Sequence, residues 1–387
     1  MVALPWLATM LTSNPLLIAA VATAQRLPWL LFALPAGVWT DRADRRLLMA
    51  RADLMRMVLM AFTLLMVISH TALPVPEGSG NAAILSLALI AFLFGSAEVI
   101  RDNAAQTVLP SIVAHSDLER ANGQMWSAEQ VTGQFIGPPI AGLLIASSVA
   151  LPFGVDASIY ALSAALIWMI ALPPRKSTVS ARFLPALLEG LGWMRRNPLI
   201  LRLAIMLGAI NAVFIGGMTI LVLYAQEVLA LSATGYGVLL TFGAMGGVAG
   251  GLLAPALATR FGMRGSLLTA LGIFVVVNLL LGLFSSPAVA GLALFLEAAA
   301  GMLWNVVTVS YRQRLIPDDL LGRVNSVYRF FGWGAMPFGA MGAGALVAVL
   351  TPVIGRSDAL HAPYLLAAAV CGLLIVFAAA RLRFDTA

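Results

Sequence analysis

Long apolar runs constrain this chain more than any other feature of its sequence. Mostly apolar stretches occupy roughly positions 15–40, 47–70, 82–109, 122–148, 153–173, 198–224, 235–259, 266–284, 288–312, 325–350 and 363–382. About 20 such residues form a helix that crosses the hydrocarbon core of a bilayer. The expected fold class is therefore an all-α polytopic membrane protein. Ahead of these runs stands Met1 to Leu11, apolar but only about half a span long. It has no basic start and no clear cleavage site, so a secretory signal is a poor reading. The expectation is the outer half of a first helix whose beginning is missing, which makes twelve helices the intended number.

Of the 387 residues, 61% are hydrophobic and only 10% charged, against about 25% charged in a soluble protein. The net charge of +6 invites a nucleic-acid reading. The Arg residues argue against it, because they fall in short clusters between apolar runs, as cytoplasmic loops do. Most of the 23 Lys and Arg residues lie at one side of the expected membrane. Arg26, Arg51, Arg56, Arg101 and Arg329 lie within spans, and Arg356 alone lies at the other side. The positive-inside rule then places the C-terminus in the cytoplasm, and the expected location is a plasma (inner) membrane. Cys371 is the single cysteine, so neither an internal disulfide framework nor a cysteine-based metal site is possible. His70, His115 and His361 are far apart, and none reads as a metal ligand.

The longest polar connection, about Pro174 to Asn197, divides the chain near its middle. The expected organisation is a transmembrane bundle over 1–173, a cytoplasmic linker over 174–197 and a second bundle over 198–387. Within the linker, Phe183, Leu184, Leu187, Leu188 and Leu191 recur at helical spacing beside Arg182, Arg195 and Arg196. That pattern predicts an amphipathic helix on the inner membrane surface. The two halves repeat each other. Leu109-Pro110 precedes Leu118, Arg120 and Asn122, and Ile316-Pro317 precedes Leu321, Arg323 and Asn325. Thr40-Asp41-Arg42 with Arg46 likewise parallels Thr259-Arg260 with Arg264. Two parallel six-helix halves are the architecture this repeat favours.

The loop after the second helix reads Gly37-Val38-Trp39-Thr40-Asp41-Arg42-Ala43-Asp44-Arg45-Arg46. It resembles the signature loop of the major facilitator superfamily, with Asp44 where that loop usually has a second glycine. The resemblance implies a gating cluster of Gly37, Asp41, Arg42, Arg45 and Arg46, with Asp102 as the acidic partner on the fourth helix. A basic loop that only signals topology is the alternative. The fifth helix carries Gly133, Gly137, Pro138, Pro139 and Gly142, whose prolines free carbonyls and bend the helix. This run resembles the glycine/proline motif of the superfamily's exporters and favours efflux over uptake, although tight helix packing explains the glycines equally well. Gln25-Arg26-Leu27-Pro28, Asp102-Asn103-Ala104-Ala105-Gln106, Leu118-Glu119-Arg120-Ala121-Asn122 and Gly322-Arg323-Val324-Asn325-Ser326 are similar to the branch of enterobactin exporters and macrolide-efflux permeases.

Charges inside a bilayer cost about 2.5–3.5 kcal/mol each at a helix centre on insertion scales, so they are functional candidates by default. One group is a belt of Asp53, Arg56, Glu98, Arg101, Asp102 and Glu129. Its acids outnumber its arginines, so complete mutual pairing is impossible. Asp53 with Arg56 and Arg101 with Asp102 read as ion pairs. Arg26 either meets an anionic substrate or partners a belt acid. A proton-coupling carboxylate needs burial without a permanent partner. Glu297 suits this best, having no basic residue within one turn, and Glu98 and Glu129 follow. Asn211, Tyr224, Trp304 and Asn305 are candidates for shaping a cavity.

Gly243, Gly247 and Gly251 read as a helix-contact face; no strand precedes them, as a nucleotide loop requires. Lys176-Ser177 lacks the glycines of a phosphate loop. The expected function is a secondary exporter, proton-coupled, for a small amphipathic compound such as a siderophore, macrolide or drug-like molecule. An uptake permease and a non-transporting receptor or scaffold are the alternatives. No nucleophile–base pair, metal set or cofactor site suggests an enzyme, and a monomer in the lipid bilayer without a nucleic-acid partner is the default.

Overall fold

A computed structural model of the chain describes residues 2–42, 44–69, 73–76, 80–112, 131–170 and 183–382. Helix dominates these residues, and no strand occurs among them. They form two compact units, Met1–Phe183 and Leu184–Ala387. Nine helical stretches among the described residues are long and apolar enough to cross a bilayer, and Val131–Ser147 is a shorter apolar one. Backbone groups have no water partner in lipid, and helices satisfy them within the segment.

The first unit contains α1 (Ala3–Leu11), α2 (Pro15–Arg42), α3 (Arg45–Ser69), α4 (Asn81–Ile112), α5 (Gly137–Ser147) and α6 (Leu151–Met169). The short α1 is well packed: Leu7 and Ala8 are fully buried, and the helix touches α2, α4 and α5. Asn14 caps α2 by accepting from the Leu16 N–H at 2.9 Å, and Pro15 takes the first helical position, where its missing N–H costs nothing. α2 packs on α4, and α3 packs on both α4 and α6. A π-helical turn, Val131–Ile136, leads into α5. Pro138 and Pro139 have no N–H to close α-helical bonds to the preceding turn, which is where this wider turn lies.

The second unit contains α7 (Phe183–Arg196), α8 (Pro198–Leu223), α9 (Ala233–Leu283), α10 (Pro287–Leu315), α11 (Asp318–Gly334), α12 (Met336–Ile354) and α13 (Arg356–Arg381). The 51 residues of α9 hold two spans, separated at Gly262, whose φ of 65° and ψ of 178° are non-helical. A residue with a Cβ is strained there. α7 packs through Met194, Leu191 and Trp193 against the core around Leu203, Leu271 and Trp304. Glu189 accepts a hydrogen bond from Arg323. A Cβ on Gly190 would come within 2.7 Å of the Arg323 carbonyl oxygen. The contacts thus group this amphipathic helix with the second unit, while Leu188 stays 57% exposed.

The glycines of α9 pack in a different register from the one expected. Gly247 has nothing within 4 Å of a built Cβ, and Gly243 and Gly251 have only ordinary contacts. Gly246 and Gly250 instead meet the backbone of α10 at Phe295 and Ala299. Both sets share the four-residue spacing that lets helix backbones approach. Spacing alone cannot select between them; the rotation of α9 toward α10 does.

The repeat is visible in the way helix ends are tied. Arg46 donates to the carbonyl of Ile170, at the C-terminal end of α6, at 3.2 Å. Arg264 donates to the carbonyl of Ala379, near the C-terminal end of α13, at 2.7 Å. Each arginine satisfies a late helix carbonyl and places its charge at the negative end of a helix dipole.

Candidate functional site

The belt in the first unit is built on α2, α3, α4 and α6. Asp53 and Arg56, one turn apart on α3, pair at 3.1 Å. Asp53 is also held by the Ser163 hydroxyl of α6, which donates to Oδ2 at 2.6 Å. Arg56 lies over the rings of Phe94 at 4.9 Å and Tyr160 at 4.7 Å. The two rings meet edge to face, 5.7 Å between centroids. Aromatic faces offer the cation electrostatic stabilisation in place of water. A buried charge pair with this support is satisfied rather than poised to open.

Gly95 brings Glu98 and Arg26 together. A Cβ at Gly95 would strike the Gln25 carbonyl, so α2 and α4 approach closely at this point. Glu98, about one turn further along α4, then feels the charges of both Arg26 and Arg56. Arg26 is thus near enough to Glu98 for their charges to interact. Arg101 and Asp102 form a looser pair at 3.5 Å, each about one-third exposed.

The signature loop divides at Asp44. Gly37, Asp41 and Arg42 belong to the final turns of α2, and their side chains lie outside the described residues, as does all of Glu129. Asp44 occupies the N-cap of α3, where its side chain accepts from the Leu47 N–H at 3.2 Å. This is a physical reason for an aspartate at the position where the superfamily loop usually has glycine. Arg45 opens α3. In the fifth-helix run Pro138 and Gly142 are buried, whereas Pro139 is half-buried. Gly133 is exposed with open space around it, and a Cβ on Gly137 would meet only the Thr132 carbonyl of its own turn. These two glycines thus make no contact with a neighbouring helix among the described residues.

The second unit carries Glu297 on α10 against a small pocket. Its walls include Val213, Phe214 and Gly217 of α8, Asn278 and Leu281 of α9, and Tyr364 of α13. Its free volume is about 10 Å³, close to the least that holds one water. Asn278 is the hydrogen-bonding side chain beside Glu297. It also donates to the Phe274 carbonyl at 2.9 Å. No ion pair to Glu297 occurs among the described residues. A carboxyl group with a neutral partner and room for a water is equipped to take up and release a proton.

The same floor has a rigid aromatic base. Tyr364 donates to the Gly217 carbonyl at 3.1 Å. Tyr224 stacks edge to face on Tyr364 and on His361, and donates to the Phe284 carbonyl at 2.7 Å. Tyr224 is fully buried, so it is a core anchor rather than the cavity-lining group expected. Asn211 is committed to the Gly332 carbonyl at 2.9 Å. Trp304 is buried, and Asn305, beside it on α10, is exposed.

Ser163, Tyr160, Phe94, Asn278 and Tyr364 support these charges and were not singled out in the sequence. Asn278 carried a signal, being a lone amide in the apolar run 266–284. The aromatic residues carried none, because rings are ordinary in a span.

The sequence profile of the transmembrane secretion effector family matches residues 1–385. The chain is similar to the multidrug efflux pump Tap of Mycolicibacterium fortuitum, 27% identical over 359 residues that cover 89% of this chain and 84% of that protein. Among solved structures it resembles a point variant of the nucleoside transporter NupG, with a TM-score of 0.76 and 13% identity, covering 99% of this chain and 94% of that one. It also resembles a bacterial homologue of the iron transporter ferroportin, with a TM-score of 0.71 and 17% identity, covering 98% and 93%. These likenesses establish the fold.

Proposed function

Because the chain belongs to the transmembrane secretion effector family of major facilitator transporters, a multi-pass membrane protein that moves a small molecule, we propose that it is a proton-coupled exporter of an amphipathic, drug-like compound. Outward direction is supported by the likeness to the efflux pump Tap and by the glycine/proline run from Gly133 to Gly142. The concentration of Arg at one side supports a plasma-membrane protein with a cytoplasmic C-terminus. Siderophores and macrolides belong to the same broad substrate class, and the working unit is a monomer.

The observation that carries the coupling is Glu297, with a neutral hydrogen-bonding partner and a water-sized pocket. Loading and unloading a proton there alters the charge of the second unit. A proton that binds the two access states unequally shifts their balance, which is the thermodynamic requirement for coupling. Glu98 is the second candidate, its charge opposed by Arg26 and Arg56. Asp53, doubly held by Arg56 and Ser163, is a structural group on this reading.

The test is efflux of the dye ethidium from proteoliposomes under an imposed proton gradient. E297Q keeps a hydrogen-bonding side chain but cannot ionise. It is expected to abolish gradient-driven efflux while leaving ethidium exchange at equal concentrations intact. Full gradient-driven efflux by E297Q refutes coupling at this residue. Efflux indifferent to collapse of the gradient in the parent protein refutes proton coupling altogether.

A further inference from the structure

Two arginines of the second unit, Arg312 and Arg329, play no part in the coupling described above. Arg312, on α10, is 8% exposed. Its guanidinium carbon lies 3.7 Å from the ring centre of Tyr328 on α11, and its Nε donates to the Thr308 carbonyl at 3.3 Å. Arg329 is the next residue after Tyr328. It is exposed and lies 5.5 Å from the ring centre of Trp333, one turn along α11. The two cations are near enough to repel each other. Neither has a carboxylate partner among the described residues.

The arrangement contrasts with Arg56. That arginine also lies against aromatic rings, Phe94 and Tyr160, but it has a carboxylate at 3.1 Å. Aromatic faces alone are a weak substitute for a counter-ion, because they recover only part of the hydration that a buried ion gives up. A second cation on the neighbouring helix adds to the cost. Arg312, Thr308 and Trp304 fall at four-residue intervals, which places them on one face of α10. The indole N–H of Trp304 is buried and has no acceptor among the described residues. This stripe therefore presents a cation without a carboxylate and a donor without an acceptor among the described residues.

We propose that Arg312 and Arg329 form a recognition site for an anionic group, a carboxylate or phosphate carried by an aromatic or amphipathic molecule. The guanidinium fork of Arg312 binds such a group through paired N–H donors. Tyr328 and Trp333 hold the two forks in place from behind. The inference rests on the transporter reading and adds to its amphipathic, drug-like compounds a further class, solutes with an acidic group. A phospholipid headgroup has the same chemistry and is the second source of such an anion.

Equilibrium dialysis of radiolabelled benzoate against the full chain in phosphatidylcholine nanodiscs tests the site, with benzamide as the uncharged isostere. Benzoate is expected to bind and benzamide not to compete. R312Q and R329Q are each expected to weaken benzoate binding by roughly tenfold or more, the loss of a charged hydrogen-bonding partner. R312K keeps the charge without the planar fork and is expected to fall between parent and R312Q. Arg329 is exposed, so R329Q provides the same reading if R312Q does not fold. Nanodiscs containing phosphatidylglycerol separate the two sources. Unchanged benzoate affinity in them assigns the site to a solute. Exclusion of benzoate from the parent protein by the anionic lipid, with less phosphatidylglycerol co-purifying with R329Q than with the parent, assigns it to a headgroup. The proposal is overturned if benzoate and benzamide behave alike, if both Gln variants bind benzoate as the parent does, or if neither benzoate nor phosphatidylglycerol shows an arginine-dependent effect. The assay uses no gradient, so its outcome is independent of proton coupling and of transport direction.

Discussion

The contact between α9 and α10 is the place where one methyl group has a calculable consequence. A Cβ on Gly250 would lie 2.5 Å from the Cα of Ala299 and 2.6 Å from its carbonyl oxygen. Contacts of that kind settle at about 3.5 Å or more, so G250A forces the two backbones apart by nearly 1 Å. They are backbone atoms in regular helix and cannot swing aside. Inserting a methyl into a packed interface costs about 1–3 kcal/mol. G247A is the control, because its Cβ would meet nothing within 4 Å. Both substitutions gain the same helix propensity, up to about 1 kcal/mol, so the difference between them isolates the packing. For a unit of this size 1 kcal/mol moves the midpoint by about 2–4 °C. G250A is therefore expected to melt roughly 2–12 °C below G247A when thermal unfolding is followed in detergent. Glu297 sits between Phe295 and Ala299 on α10, so G250A should also impair gradient-driven efflux more than G247A does. A G250A protein that melts with G247A would refute the reasoning, since it would mean that the close approach is not tight.

Other consequences can be read from the same measurement. D53A strands the buried Arg56 and is expected to cost about 3–5 kcal/mol, most of it regained in D53A/R56M, where no charge is left behind. Ala230 has a φ of 52°, a conformation that costs a residue with a Cβ about 1–2 kcal/mol; A230G relieves this at an entropic cost of about 0.4–1 kcal/mol and should raise the melting point slightly. D44A removes the cap of α3 and should cost about 0.5–2 kcal/mol, whereas D44G, the residue usual in the superfamily loop, should cost only a few tenths.

The spans were legible because lipid leaves the sequence little freedom: an apolar run of sufficient length has one stable conformation there. The repeat was legible for a similar reason, since Arg46 and Arg264 perform the same task at equivalent helix ends. Rotation about a helix axis was not legible. Two sets of α9 glycines had the same spacing, and the chain uses the one that faces Phe295 and Ala299. Tyr224 failed for the same reason, as a polar aromatic in a span suits a cavity or a core equally, and its two carbonyl partners place it in the core. Asp44 shows the converse. As a departure from a motif it was unexplained, and it became intelligible only as a cap on the following helix.

The two units treat their buried charges differently, and the difference predicts opposite signs for similar substitutions. In the first unit Asp53 has a cation, a hydroxyl and a closed ring environment. Removing it leaves Arg56 uncompensated, so the protein loses stability. In the second unit Glu297 has only Asn278, and no cation balances it among the described residues. Its ionised form gains little from the fold and gives up its hydration. E297Q keeps a hydrogen bond available to Asn278 while removing the group that must otherwise be desolvated. Its melting point is therefore expected to equal or exceed that of the parent, even as coupled efflux is lost. Groups retained for activity at the expense of stability behave in this way. A marked fall in the melting point of E297Q would instead make Glu297 a structural partner of Asn278 and return the coupling role to Glu98.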